Sequence, residues 1–81
     1  MPFYAYIFKS LKDSGYYYGH CFNPDIRLHN HTLGKVKSTK SGRPFILHYF
    51  EMFETKSQAA KREYFFKSID GYNYLKAKSI I

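Results

Sequence analysis

Cysteine is nearly absent from this chain. Cys21 stands alone, so no internal disulfide can form, and a stapled secreted scaffold is excluded. Tryptophan is missing altogether. No apolar run approaches the ~20 residues that a transmembrane helix needs. The start Met1-Pro2-Phe3-Tyr4 lacks the basic segment and long apolar stretch of a signal peptide. The expectation is a soluble, cytoplasmic protein with no membrane partner. There is no internal repeat of about 20–50 residues and no low-complexity tract. Acid is scarce as well: six Asp and Glu stand against thirteen Lys and Arg, a formal net charge of +7. So basic a surface expects an anionic partner, nucleic acid before acidic lipid.

Aromatic rings are what the chain has in quantity, with nine tyrosines and eight phenylalanines among 81 residues. Each buried ring removes ~150–250 Å² from water, enough to support one small domain over residues 1–81 and to argue against disorder. Phe3 to Phe8 is rich in strand-forming types. Asp13-Ser14-Gly15 is turn chemistry, and Tyr16-Tyr17-Tyr18 opens a second run, so a β-hairpin is predicted. Asn23-Pro24 supplies an N-cap and a first-turn proline for a helix running to about Leu33, with Gly34 as its stop. The polar stretch from Lys35 to Pro44 is a loop, and Phe45 to Phe50 is a third strand, extending toward Phe53. Thr55-Lys56-Ser57-Gln58 fits a capping box. Its helix should end near Ser68, with Asp70-Gly71 as the break before a short helix from Tyr72 to Lys78. The predicted fold is α+β, a small three-stranded antiparallel sheet flanked by helices in the order β-β-α-β-α-α.

Some positions invite chemistry. Ala59, Glu63, Phe66 and Asp70 follow the spacing of a core-facing stripe, which puts the Glu63 carboxylate where an apolar residue is expected. It needs a compensating partner there, either a cation such as Lys67 one turn on or a metal. Arg27 and His31 share a helix face at i, i+4. They suit a phosphate clamp with a proton donor, or else a solvated arginine with a helix-terminal cation. In a hairpin whose loop holds an even number of residues, Tyr6 and Tyr17 point the same way, to flank a phosphate or simply to pack, whereas an odd loop or a bulge separates them. Gly19 permits close approach of backbone or ligand. His29 and His31, at i, i+2, face apart, which opposes a zinc site built with His20 and Cys21. Cys21 reads as a small buried residue, and His20 and His48 as ordinary strand residues.

The ordered set Tyr6, Tyr17, Gly19, Arg27, His31 and Glu63 resembles the GIY-YIG nuclease superfamily, in its small single-domain bacterial branch related to the catalytic N-terminal domain of the excision-repair nuclease. The resemblance continues through Gly34 to Lys40, Arg43-Pro44-Phe45 and Thr55 to Glu63, and covers residues 3–76. The two signatures stand here as Tyr4-Ala5-Tyr6 and Tyr17-Tyr18-Gly19, with both tyrosines and the glycine kept. The resemblance implies an endonuclease that hydrolyses phosphodiester bonds in DNA, with one divalent ion, Mg²⁺ or Mn²⁺. It implies Glu63 as the metal ligand, Arg27 on the phosphate, and Tyr17 or Tyr6 as the acceptor of the water's proton, with His31 assisting. Lys35, Lys37, Lys40 and Arg43 would form a phosphate-binding edge, or stay a solvated loop. DNA is favoured over RNA, and structure-selective cleavage over strong sequence specificity; a homodimer or protein partner would supply the rest. Repair or recombination enters by analogy to relatives. The alternatives are a non-catalytic nucleic-acid-binding module that keeps the fold, and a basic RNA- or ribosome-associated protein.

Overall fold

A computed structural model describes the backbone of residues 2–32 and 43–81, and their side chains except those of 30–32. The elements run β1 (Phe3–Ser10), β2 (Tyr16–Cys21), α1 (Pro24–Thr32), β3 (Phe45–Phe53), α2 (Lys56–Lys67) and α3 (Ile69–Ala77). The sheet is antiparallel, ordered β2-β1-β3, so the predicted α+β fold is the one observed. Among the described residues no helix is long and apolar enough to cross a membrane.

The central strand explains the rest. Ala5, Tyr6, Ile7 and Phe8 are all buried, because β1 is covered on both faces. Ala5 and Ile7 meet Phe66 of α2 and Leu75 of α3. Tyr6 and Phe8 point the other way, into a cluster with Phe45, Leu47 and Leu28 of α1. The sheet thus separates α1 from the α2–α3 pair. The hairpin register pairs Tyr6 with Gly19 and Phe8 with Tyr17, so the tyrosines share a face as the even-loop argument requires. The turn is held locally: Ser10 Oγ accepts from Lys12 N and Asp13 N, and Asp13 Oδ1 accepts from Gly15 N at 2.8 Å.

Several helix signals hold. Asn23 Oδ1 accepts from the amides of Asp25 and Ile26, capping α1 ahead of Pro24. Thr55 and Gln58 form the reciprocal capping box of α2. The break before the last helix differs from the expectation. Ser68 ends α2 and caps α3, its Oγ accepting from Gly71 N at 3.0 Å, while Asp70 and Gly71 lie inside α3. Gly71 is there for closeness: a Cβ would sit 1.7 Å from the Phe65 carbonyl oxygen. Asp70, past the break, is exposed and leaves the α2 stripe.

α2 is fixed against β3 by an acid–base cluster. Glu51 accepts from Arg62 Nε at 2.7 Å and from the Tyr49 hydroxyl at 2.5 Å. The Arg62 guanidinium lies over Phe65, Phe66 and Tyr74, at 4.7, 5.3 and 5.0 Å from the ring centres. Glu63 is the next residue, so this anchor also sets where its side chain emerges.

Candidate active site

β2 is an edge strand, and the candidate site forms around it. Tyr17 and Gly19 face α1 with Tyr6, whereas His20 pairs with Ala5 and faces α2. A cavity of about 510 Å³ gathers residues from both sides: Tyr6, Tyr17 and Arg27 with His20 and Glu63. Lys56 and Lys67, on the Glu63 face of α2, also line it.

Tyr6 reaches this place because Gly19 lies opposite. A Cβ on Gly19 would stand 2.2 Å from the Tyr6 hydroxyl oxygen, so only glycine leaves room for the ring. Tyr6 stacks on Phe8 with ring centres 4.2 Å apart and is 1% exposed. Its phenol accepts a hydrogen bond from the Arg27 guanidinium. Burial outweighs that cation and pushes the Tyr6 phenol up to about 12. The same bond raises Arg27 further, so the arginine stays charged.

Glu63 is bound at both oxygens. Oε1 lies 2.6 Å from His20 Nδ1, and Oε2 lies 2.5 Å from Lys67 Nζ. Burial pushes the Glu63 carboxyl up, but the Lys67 and His20 hydrogen bonds prevail and hold it below the usual carboxylate range. The ion pair with Lys67 anticipated from spacing is therefore present. His20, expected to be an ordinary strand residue, is instead the second partner of this carboxylate. Strand alternation turns it away from Tyr17 and Gly19 and onto α2. His48 departs from that expectation too. The register shift between Ile7 and Phe8 pairs Tyr49 and Leu47 in turn, leaving His48 as the extra residue, and its Nε2 bonds the Ile80 carbonyl. Cys21 is half-buried, and burial pushes its thiol up, consistent with a small packing residue.

The predicted set is thus brought together in part. Tyr6, Tyr17, Arg27 and Glu63 meet in one cavity. His31 continues α1, with its side chain outside the described residues, as are Lys35, Lys37 and Lys40 altogether. Arg43 is exposed just ahead of β3 and is not among the cavity-lining residues. Sequence reasoning missed His20, Lys56 and Lys67 as members of the site. The lysines carried a signal, since 56, 63 and 67 are two turns and one turn apart on one helix face.

Two strand tyrosines, a glycine inside β2 where the sequence suggested a strand end, a helix arginine and a distant glutamate thus converge on one cavity. Residues 2–73 match the family model described as the GIY-YIG catalytic domain. The chain belongs to the GIY-YIG family. Its relatives include the UPF0213 protein of Staphylococcus haemolyticus, 43% identical over 74 residues that cover 90% of this chain and 89% of that protein. A UPF0213 protein of Bacillus licheniformis is 39% identical over 71 residues, 86% of this chain and 72% of the other. The solution NMR structure of a UPF0213 protein from Bacillus halodurans superimposes with a TM-score of 0.54 at 32% identity, covering 95% of this chain and 84% of that one. GIY-YIG domains are nuclease domains that act on nucleic acid and generally depend on a divalent metal.

The residues present fit such an ion. Glu63 offers oxygen, the donor that Mg²⁺ and Mn²⁺ prefer, on a carboxylate held ionised in a cavity wide enough for waters and a phosphate. Among the described residues no three His, Cys, Asp or Glu side chains cluster, so Glu63 would be the main protein ligand, with water and substrate oxygen completing the shell.

Proposed function

We propose that this chain is a metal-dependent endonuclease, a single GIY-YIG domain over residues 1–81 that hydrolyses phosphodiester bonds in DNA. One observation carries the reading: Tyr6, Tyr17, Arg27 and Glu63, drawn from two strands and two helices, share a cavity whose other charges include Lys56 and Lys67. A polyanionic backbone is the substrate such a cavity suits.

Glu63 would hold one divalent ion, Mg²⁺ or Mn²⁺, which when bound supplies positive charge for the leaving 3′-oxygen. Arg27, always protonated, binds the scissile phosphate and stabilises the charge that gathers on it in the transition state. A base must take the proton of the attacking water. Tyr6 suits this poorly, with its phenol at about 12 and its oxygen already accepting from Arg27. We assign the base to Tyr17 and a positioning role to Tyr6, which holds Arg27 toward the cavity. His31 is assigned to assist the proton transfer. Lys35, Lys37, Lys40 and Arg43 would extend phosphate contact beyond the cavity, which positions the backbone without reading bases. One small domain suits structure-selective cleavage, as in repair or recombination, within the cytoplasm; a second copy or a partner would add specificity.

A second reading rests on the two side-chain partners of Glu63. A carboxylate already satisfied by His20 and Lys67 is also what a non-catalytic nucleic-acid-binding module would keep for stability. Incubation with supercoiled plasmid separates the two. The nuclease converts it to nicked circles in Mg²⁺ and leaves it intact in EDTA. A plasmid left intact in Mg²⁺ and Mn²⁺ by protein that still retards DNA on a gel favours the binding module.

A further inference from the structure

Two of the cavity's cations take no part in the cleavage chemistry above. Lys56 and Lys67 flank Glu63 along one face of α2, and both line the cavity. Both oxygens of the carboxylate between them are already engaged, Oε1 by His20 Nδ1 and Oε2 by Lys67 Nζ. These partners are unlike in kind. His20 is a short side chain on a paired strand and is 29% exposed. Lys67 ends a flexible four-carbon stem, and its side chain is 49% exposed. A divalent ion approaching Oε2 meets an ammonium already seated there, and like charges at that range oppose each other.

On the reading that Glu63 is the metal seat, we infer that Lys67 is a substrate-phosphate ligand that rests on Glu63 in the free chain, so that an entering phosphate draws it off and opens Oε2 to the ion. A phosphodiester oxygen offers Lys67 a charge-assisted hydrogen bond of the same kind as the one it leaves. Lysine can change acceptors readily, because its three donors sit on a mobile point charge instead of a fixed fork. Charge supports the exchange. In the free cavity Glu63 stands against Arg27, Lys56 and Lys67, so a further 2+ charge is unwelcome until a phosphate enters. His20 stays on Oε1 and keeps the carboxylate oriented, as hydrogen bonds behind metal-ligating carboxylates do. The coupling is reciprocal: whatever removes the ammonium from Oε2 raises affinity for the ion, and the bound ion frees Lys67 for phosphate. Lys67 thereby delays metal capture until nucleic acid is in place.

The test is a Mn²⁺ titration without DNA, counting free ion by electron paramagnetic resonance, on wild type, Lys67→Met, Lys67→Arg, Glu63→Gln and the double variant Lys67→Met/Glu63→Gln. Thermal melts by circular dichroism establish that each is folded. Lys67→Met should bind Mn²⁺ about tenfold more tightly than wild type, Lys67→Arg should match wild type, and the double variant should lose the gain. In EDTA, the salt dependence of DNA affinity for Lys67→Met should be shallower by about one in the log–log slope, because one phosphate contact is gone. If Lys67→Met gains no Mn²⁺ affinity while Glu63→Gln still weakens binding, Glu63 remains the seat and the inference about Lys67 is overturned. A gain shared by Lys67→Arg overturns it as well, since charge would not be the cause. An unchanged salt slope removes the phosphate from the exchange and overturns it too. If Glu63→Gln has no effect on Mn²⁺ binding, the metal-seat reading fails and carries this inference with it.

Discussion

At the scale of single residues, the site depends on an absence. Gly19 carries no side chain where the Tyr6 ring must lie, and the space a methyl would take is already filled by the phenol, 2.2 Å from the ideal Cβ position. Tyr6 cannot easily yield, since it is 1% exposed and stacked on Phe8. Gly19→Ala should therefore cost roughly 1–3 kcal/mol in stability, in line with other overpacked cores, and should shift Tyr6 away from Arg27. The expected result is a lowered melting temperature together with nuclease activity lost beyond what unfolding explains. An alanine variant as stable and as active as wild type would show that the Tyr6–Gly19 contact is not needed. The shared face of the tyrosine pair was legible in the sequence for an even-numbered loop, because hairpin parity fixes faces locally. His20 was not. Its partner lies 43 residues away on α2, and no local pattern announces a pairing across that distance.

At the scale of elements, capping chemistry was readable and helix breaking was not. The Thr55–Gln58 box is a local motif, and it forms as its spacing predicts. Gly71 looks like a breaker by propensity, yet it lies within α3, because its lack of a side chain lets α3 begin against the Phe65 carbonyl. Tertiary closeness overrides propensity here, and Ser68, which caps α3, makes the break. The two features should respond differently to alanine. Thr55→Ala removes one cap bond and should cost about 1 kcal/mol. Gly71→Ala sets a Cβ 1.7 Å from backbone oxygen, which no rotamer change relieves, and should cost ~3 kcal/mol or more. Urea melts of both variants check the ranking; a Gly71→Ala protein as stable as Thr55→Ala would contradict the close junction.

At the scale of the whole molecule, the fold brings distant groups together around one strand edge. β1, buried on both faces, places the tyrosines on the α1 side and leaves β2 as the rim over which Glu63 reaches from α2. Element order and the β1–β2 hairpin could be read from turn signals and aromatic runs, since each is local, whereas the β1–β3 pairing joins residues as distant as Phe3 and Phe53. The convergence of Arg27 and Glu63 could not be read from either helix separately. It follows from packing on the two faces of the sheet, where α1 brings Arg27 to Tyr6 of the central strand and α2 brings Glu63 to His20 of β2. The ordered motif set supplied it only through resemblance. The measurement that tests this convergence most directly is single-turnover cleavage of a DNA duplex in Mg²⁺ by Glu63→Gln and wild type, each at protein concentrations that saturate binding. Nuclease action at this cavity predicts that Glu63→Gln binds DNA at least as well as wild type and cleaves it at least about 10²-fold more slowly. Equal cleavage rates would place the chemistry elsewhere and contradict the account.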